Sequence, residues 1–83
     1  MANTLSPTQI RGARGMLDWS IVDLARASRI SISTIQRVEA GGKIAPSDLT
    51  VAMIQTAFEA AGISFLADDG RGQGVRLKRA TAA

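Results

Sequence analysis

The sequence predicts a mainly α domain of four short helices followed by a small β-hairpin, and three observations predict it. A serine stands ahead of an apolar run four times, at Ser6, Ser20, Ser31 and Ser47, where a hydroxyl can cap a helix start. Glycines stand where two of those runs stop, at Gly41-Gly42 and at Gly62, each suited to a left-handed helix terminus. Beyond Gly62 the pattern shifts to two short, near-alternating stretches.

The elements follow in order. Leu5-Ser6-Pro7-Thr8-Gln9-Ile10 places Ser6 as cap, Pro7 at the first helical position and Gln9 at the third, a capping box. Leu5 and Ile10 hold the two staple positions, and a helix is predicted over 7–17. The same grammar returns with Ser20 and Asp23, stapled by Trp19 and Leu24, for a helix over 21–27. It returns again with Ser31, stapled by Ile30 and Ile35, for a helix over 32–40. Ser47, after Pro46, opens a fourth helix over 48–61. Only Ser28, Arg29 and Ile30 separate the second helix from the cap of the third, so the two must cross steeply, as in a helix-turn-helix. Residues 63–66 and 74–78 read as strands around a turn-rich run, Asp68 to Gly74. An isolated hairpin is marginal in water, so this one needs a helix to lie on or strands from a second subunit. Three segments are therefore expected: a helical domain over 1–62, a β extension over 63–79 serving dimerisation, and a frayed tail over 80–83.

Composition removes most chemistry. The 83 residues fit one domain with a thin stability margin. There is no Cys and no His, which excludes disulfides, thiolate nucleophiles, zinc fingers and histidine-dependent triads. No nucleophile-plus-base pair is present, so an enzyme is not expected. No metal, cofactor or small-molecule ligand is expected either. Asp68-Asp69 reads as a solvated turn, and the Gly70, Gly72, Gly74 run does not link a strand to a helix as a phosphate loop would. The start lacks a signal-peptide pattern and no run is long enough to span a membrane. A cytoplasmic, nucleoid-associated protein is the expectation. Residues 1–43 carry six basic and three acidic groups, residues 44–69 only four acidic, and residues 70–83 four basic. That layout suits one positive face for a polyanion, or ordinary surface decoration.

The stretch from Trp19 to Gly41 decides more. Leu24-Ala25, Ile30-Ser31, Thr34-Ile35 and Val38-Glu39 followed by Gly41 stand at the spacing of the Xre/Cro helix-turn-helix family, the phage-repressor-like regulators, which the chain resembles over about residues 6–62. The resemblance implies a four-to-five-helix, lambda-repressor-like domain whose helix-turn-helix lies at about 20–41. It implies a transcriptional regulator that binds double-stranded DNA with the helix 32–40 in the major groove. The residues support this independently. Ile35 and Val38 share an inner face with Ile30. Ile32, Ser33, Gln36, Arg37 and Ala40 form the opposite stripe, a set able to pair with base edges and a thymine methyl. By the resemblance, Ile32, Ser33 and Arg37, with Gln36 beside them, are base-contacting. Arg37 suits guanine O6 and N7, with a phosphate clamp as its other reading. Ser31, Lys43, Arg29, Arg11 and Ile21 are the positions expected near the DNA backbone. The resemblance also implies an internal ion pair between Arg14 and Glu39.

Two departures stand out. Ile21 replaces a frequent Gln at the start of the second helix, so that polar contact is missing or replaced by an apolar one. Arg29 replaces the turn Gly, where a left-handed conformation costs roughly 1 kcal/mol.

One recognition helix reads few base pairs, so a homodimer on an inverted-repeat operator is expected, with its helices about 34 Å apart. The fourth helix is apolar over more than one stripe. Val51, Ile54 and Phe58, with Phe65 and Leu66, are the expected dimer interface, unless the hairpin folds back and covers that helix within one chain. A repressor or autoregulator, such as one serving a mobile element, is the leading reading. An antitoxin-like or anti-activator module whose hairpin binds another protein is the second.

Overall fold

The computed structural model describes residues 5–78; the expected tail over 80–83, with Arg79, lies outside them. Its elements run α1 (Pro7–Leu17), α2 (Ile21–Ser28), α3 (Ile32–Ala40), α4 (Asp48–Ala60), β1 (Ile63–Leu66) and β2 (Gly74–Leu77). The domain is mainly helical, with one two-stranded antiparallel sheet, as expected.

All four serine caps form. The Ser6 hydroxyl accepts from the Gln9 amide at 3.1 Å while Gln9 Oε1 accepts from the Ser6 amide at 3.0 Å. Ser20 and Asp23 repeat this at 3.1 and 2.9 Å. The bond from the Ser20 amide holds the Asp23 carboxyl below its usual range. Ser31 accepts from Thr34 and Ser47 from Thr50, at 3.2 and 3.1 Å. Each hydroxyl satisfies an amide that the first helical turn leaves without a backbone partner.

The helix ends divide. α1 stops at Asp18 and α2 at Arg29, both non-glycine residues in the left-handed region, with φ of 57° and 62°. The second was expected at the departure from the family's turn; nothing in the sequence pointed to the first. α3 ends on Gly41 with φ 67°, where a Cβ would also come within 3.3 Å of Pro7 Cγ. Only glycine combines that conformation with so close an approach of α1.

The core gathers from every element. Ile10, Leu24, Ile35, Ile54 and Phe58 are fully buried, with Ala13, Val38, Val51 and Ile63 around them. Burying each large aliphatic or aromatic side chain contributes roughly 1.5–3 kcal/mol. Trp19 stacks on Phe58 with ring centroids 5.6 Å apart, and Phe65 meets Phe58 edge-on at 5.8 Å.

The hairpin pairs Ile63 with Leu77, Ser64 with Arg76, Phe65 with Val75 and Leu66 with Gly74. β2 packs on α1 and β1 on α4, so Ile63, Phe65 and Val75 join the core. Gln9 ties the turn end of the hairpin down, its Nε2 donating to the carbonyls of Gly74 at 3.0 Å and Leu66 at 3.3 Å. This corrects the expected dimer interface. Val51, Ile54 and Phe58 lie inside the chain's own core, because the hairpin folds back and covers α4. Phe65 and Leu66 are half-buried, and Phe65 faces Phe58 of the same chain. Among the described residues no helix is long and apolar enough to cross a membrane.

Candidate nucleic-acid interface

α3 has two unlike sides. Inward, Ile35 and Val38 are buried and Glu39 is only 6% exposed. Outward, Ile32, Ser33, Gln36, Arg37 and Ala40 are all exposed, so the predicted stripe is a continuous solvent-facing surface. Spacings of three and four residues place these side chains side by side along the helix.

The inner side is locked by α1. Arg14 grips the Glu39 carboxylate with two parallel bonds, Nε to Oε2 at 2.6 Å and Nη2 to Oε1 at 2.7 Å. Its Nη1 donates to the Trp19 carbonyl at 3.1 Å, so all three guanidinium nitrogens are engaged. The bond to Glu39 raises the Arg14 pKa further, overcoming the opposing effect of burial. Arg11 adds a second tether, its Nη1 donating to the Glu39 carbonyl and its Nη2 to Thr8 Oγ1 at 3.4 Å. A cation at the C-terminal turn of α3 also opposes the negative end of the helix dipole. Arg11 is thus positioned by the fold as well as exposed beside it.

The outer side is poised rather than locked. Arg37 Nη2 donates to Thr34 Oγ1 at 3.3 Å, which aligns the guanidinium along the helix and leaves donors turned to solvent. The Ser31 hydroxyl donates to the same Thr34 oxygen at 2.9 Å. The first turn of α3 contains no acidic residue, so its amide ends present an uncompensated positive dipole.

The expected backbone positions surround this helix. Arg29 is exposed in the turn before it, and Lys43 is exposed just after Gly41-Gly42. Ile21, at the first position of α2, is half-buried against the core and offers no polar group. Two residues at this surface escaped the sequence reading. Thr34 orients Arg37, for which the three-residue spacing was the available signal. Val22 is 47% exposed beside Ile21, a second apolar group at the start of α2, and its local pattern gives no sign of that.

The Asp68-Asp69 turn consumes its own carboxylates. Asp68 Oδ1 accepts from the Gly70 and Gly72 amides, both at 2.8 Å, and these bonds keep its pKa low. Asp69 Oδ1 accepts from the Arg71 amide at 3.0 Å. Among the described residues no cluster of acidic side chains is arranged to hold a metal.

No curated protein and no solved structure matches the chain. A family model does: the one described as helix-turn-helix matches residues 10–64, from the first turn of α1 into β1. The match takes in Arg11 and Arg14 of α1, α2, the turn at Arg29 and α3, and so includes the groups that lock one side of α3 as well as the side left exposed. The chain therefore belongs to the helix-turn-helix family of Xre- and lambda-repressor-like DNA-binding regulators.

Proposed function

We propose that the protein is a sequence-specific regulator that reads an inverted-repeat operator as a homodimer, with α3 in the major groove of each half-site, and acts as a repressor or autoregulator. One observation carries the reading. Ile32, Ser33, Gln36 and Arg37 are exposed on one side of a helix whose other side is fixed by Ile35, Val38 and the Arg14–Glu39 pair. Such a helix presents its stripe as a rigid unit, and rigidity lets base contacts discriminate.

The roles divide by chemistry. Arg37 donates to guanine O6 and N7, Gln36 pairs with a base edge, Ser33 supplies a hydroxyl and Ile32 meets a thymine methyl. Ser31 and the amides behind it meet a phosphate at the start of α3. Arg29, Lys43 and Arg11 add backbone contacts, and Ile21 an apolar one. Site selection from random duplex DNA tests this. A recovered motif with two-fold symmetry supports it, and recovery of no motif contradicts it. Binding to the selected site should weaken steeply with added salt through counterion release. The reading of the hairpin as a protein-binding module has less support, because Ile63, Phe65 and Val75 are taken up by the chain's own core.

A further inference from the structure

On the outer stripe of α3, Arg37 can only donate and Ile32 can neither donate nor accept. A serine hydroxyl carries one proton and two lone pairs, so what Ser33 can bond in the major groove depends on where its proton lies. The hydrogen bonds at the start of α3 fix that. The Ser31 hydroxyl accepts from the Thr34 amide at 3.2 Å and gives its one proton to Thr34 Oγ1 at 2.9 Å. The cap of α4 repeats the arrangement. Ser47 accepts from the Thr50 amide at 3.1 Å and donates to Thr50 Oγ1 at 2.9 Å, so the direction belongs to this kind of cap. Ser33 Oγ lies 3.3 Å from Ser31 Oγ. Ser31 has no second proton to offer, so in this bond Ser33 is the donor and Ser31 accepts on its remaining lone pair.

Two neighbouring hydroxyls are thereby given opposite polarity. Thr34 Oγ1 accepts from Ser31 and, at 3.3 Å, from Arg37 Nη2, so both lone pairs are filled and only its proton is left. Ser33 has given its proton away, so only lone pairs are left on an exposed side chain. We propose that Ser33 reads DNA as an acceptor, and that its target is the exocyclic amino group of adenine or cytosine. The other groups within its reach do not fit. Guanine O6, thymine O4 and the purine N7 atoms are acceptors. A phosphate oxygen is an acceptor too, and lone pairs facing lone pairs form no bond. Ser33 and Arg37 are four residues apart and lie side by side on the helix. Together they present an acceptor next to a donor fork, which fits an amino group next to a guanine. Ser33 can act in this way only if α3 enters the major groove as proposed above, and the experiment separates the two readings.

Fluorescence anisotropy of the full chain tests this, first on the operator recovered by site selection and on a scrambled duplex. Single bases of the operator are then replaced by analogues that lack one edge group. Unsubstituted purine for adenine and pyrimidinone for cytosine remove the amine. Aminopurine for guanine and methylpyrimidinone for thymine remove the carbonyl, and deazapurines remove N7. Each duplex is measured with wild type and with Ser33→Ala. At one position, loss of the amine should weaken wild-type binding roughly five- to tenfold, the effect of one hydrogen bond. Ser33→Ala should lose almost nothing there, because the acceptor is already gone. Ser31→Gly tests the cause. Glycine keeps most of the cap but releases the Ser33 proton, giving that hydroxyl a second way to bond. This variant should lose less than about twofold on the amine-free duplex. Circular dichroism checks that both variants keep their helices. Coupling of Ser33 to a carbonyl or to N7 would make it a donor and overturn the assignment. An unchanged amine effect in Ser31→Gly, or no analogue that couples to Ser33, would overturn it as well. Equal wild-type affinity for operator and scrambled duplex would overturn base reading itself, and the first comparison shows that before any analogue is used.

Discussion

Arg14 and Arg37 have the same chemistry and opposite surroundings, and α3 lies between them. Arg14 has every guanidinium nitrogen engaged and a carboxylate held in two-point geometry. Arg37 has a single weak contact to Thr34, at 3.3 Å, and faces solvent. The difference separates two uses of one residue type. A guanidinium whose donors are satisfied by its own fold fixes a helix; one whose donors are left over can recognise a ligand. α3 meets both: Arg14 of α1 grips its inner side through Glu39, and its own Arg37 stands on the outer side.

Breaking the inner side should have the largest effect. Glu39→Ala removes the carboxylate between Arg14 and the end of α3, leaving a mostly covered guanidinium without its partner. We expect a loss of about 3 kcal/mol, the lower part of the range for a buried pair because Arg14 is one-fifth exposed. Urea unfolding should show it as a lower midpoint at unchanged slope. Arg37→Ala is the matching change on the outer side and should shift stability by less than about 0.5 kcal/mol. A similar loss for both variants would erase the distinction between the two sides.

A smaller effect sharpens the comparison at the turn that joins them. Arg29→Gly removes the left-handed strain at φ 62° and should stabilise the protein by up to about 1 kcal/mol. The same change should weaken DNA binding slightly, through loss of the proposed phosphate contact of Arg29. Thermal unfolding and anisotropy on one preparation would read both signs.

The smallest expected effect is acid sensitivity at the helix cap. Bonds from Ser20 lower the folded Asp23 pKa below its ordinary value of 3.8. The stability this contributes is complete above the unfolded value and is lost as pH falls through the lower folded value. Asp23→Asn should flatten that part of the stability profile, measured by urea titration at successive pH values. An unchanged acid limb would mean that the cap bonds add nothing to folding.

Helix starts were legible in the sequence because a cap and its partner lie three residues apart, as at Ser6 and Gln9. The outer stripe of α3 was legible because the apolar spacing of Ile35 and Val38 fixes the opposite face. What the sequence did not disclose depends on distant contacts. Gln9 has a local role at its cap, yet it also holds Gly74, 65 residues away. α4 looked more apolar than one core needs, and the missing layer was the hairpin folding back on it. The end of α1 at residue 17 was predicted, but the left-handed conformation of Asp18, φ 57°, was not, since no glycine marks it. Among the candidate site residues, Arg11 gained a structural contact, to the Glu39 carbonyl, that its spacing did not suggest.

The central claim is that the outer side of α3 reads base sequence while the inner side only holds the helix. The most direct measurement compares wild type and Arg37→Ala on two duplexes of equal length, the selected operator and a scrambled sequence, at physiological salt. The account predicts a loss of about 1–3 kcal/mol for the variant on the operator and almost none on the scrambled duplex. Equal losses on both duplexes would reduce Arg37 to a phosphate contact. Equal wild-type affinity for both would contradict sequence reading by this face altogether.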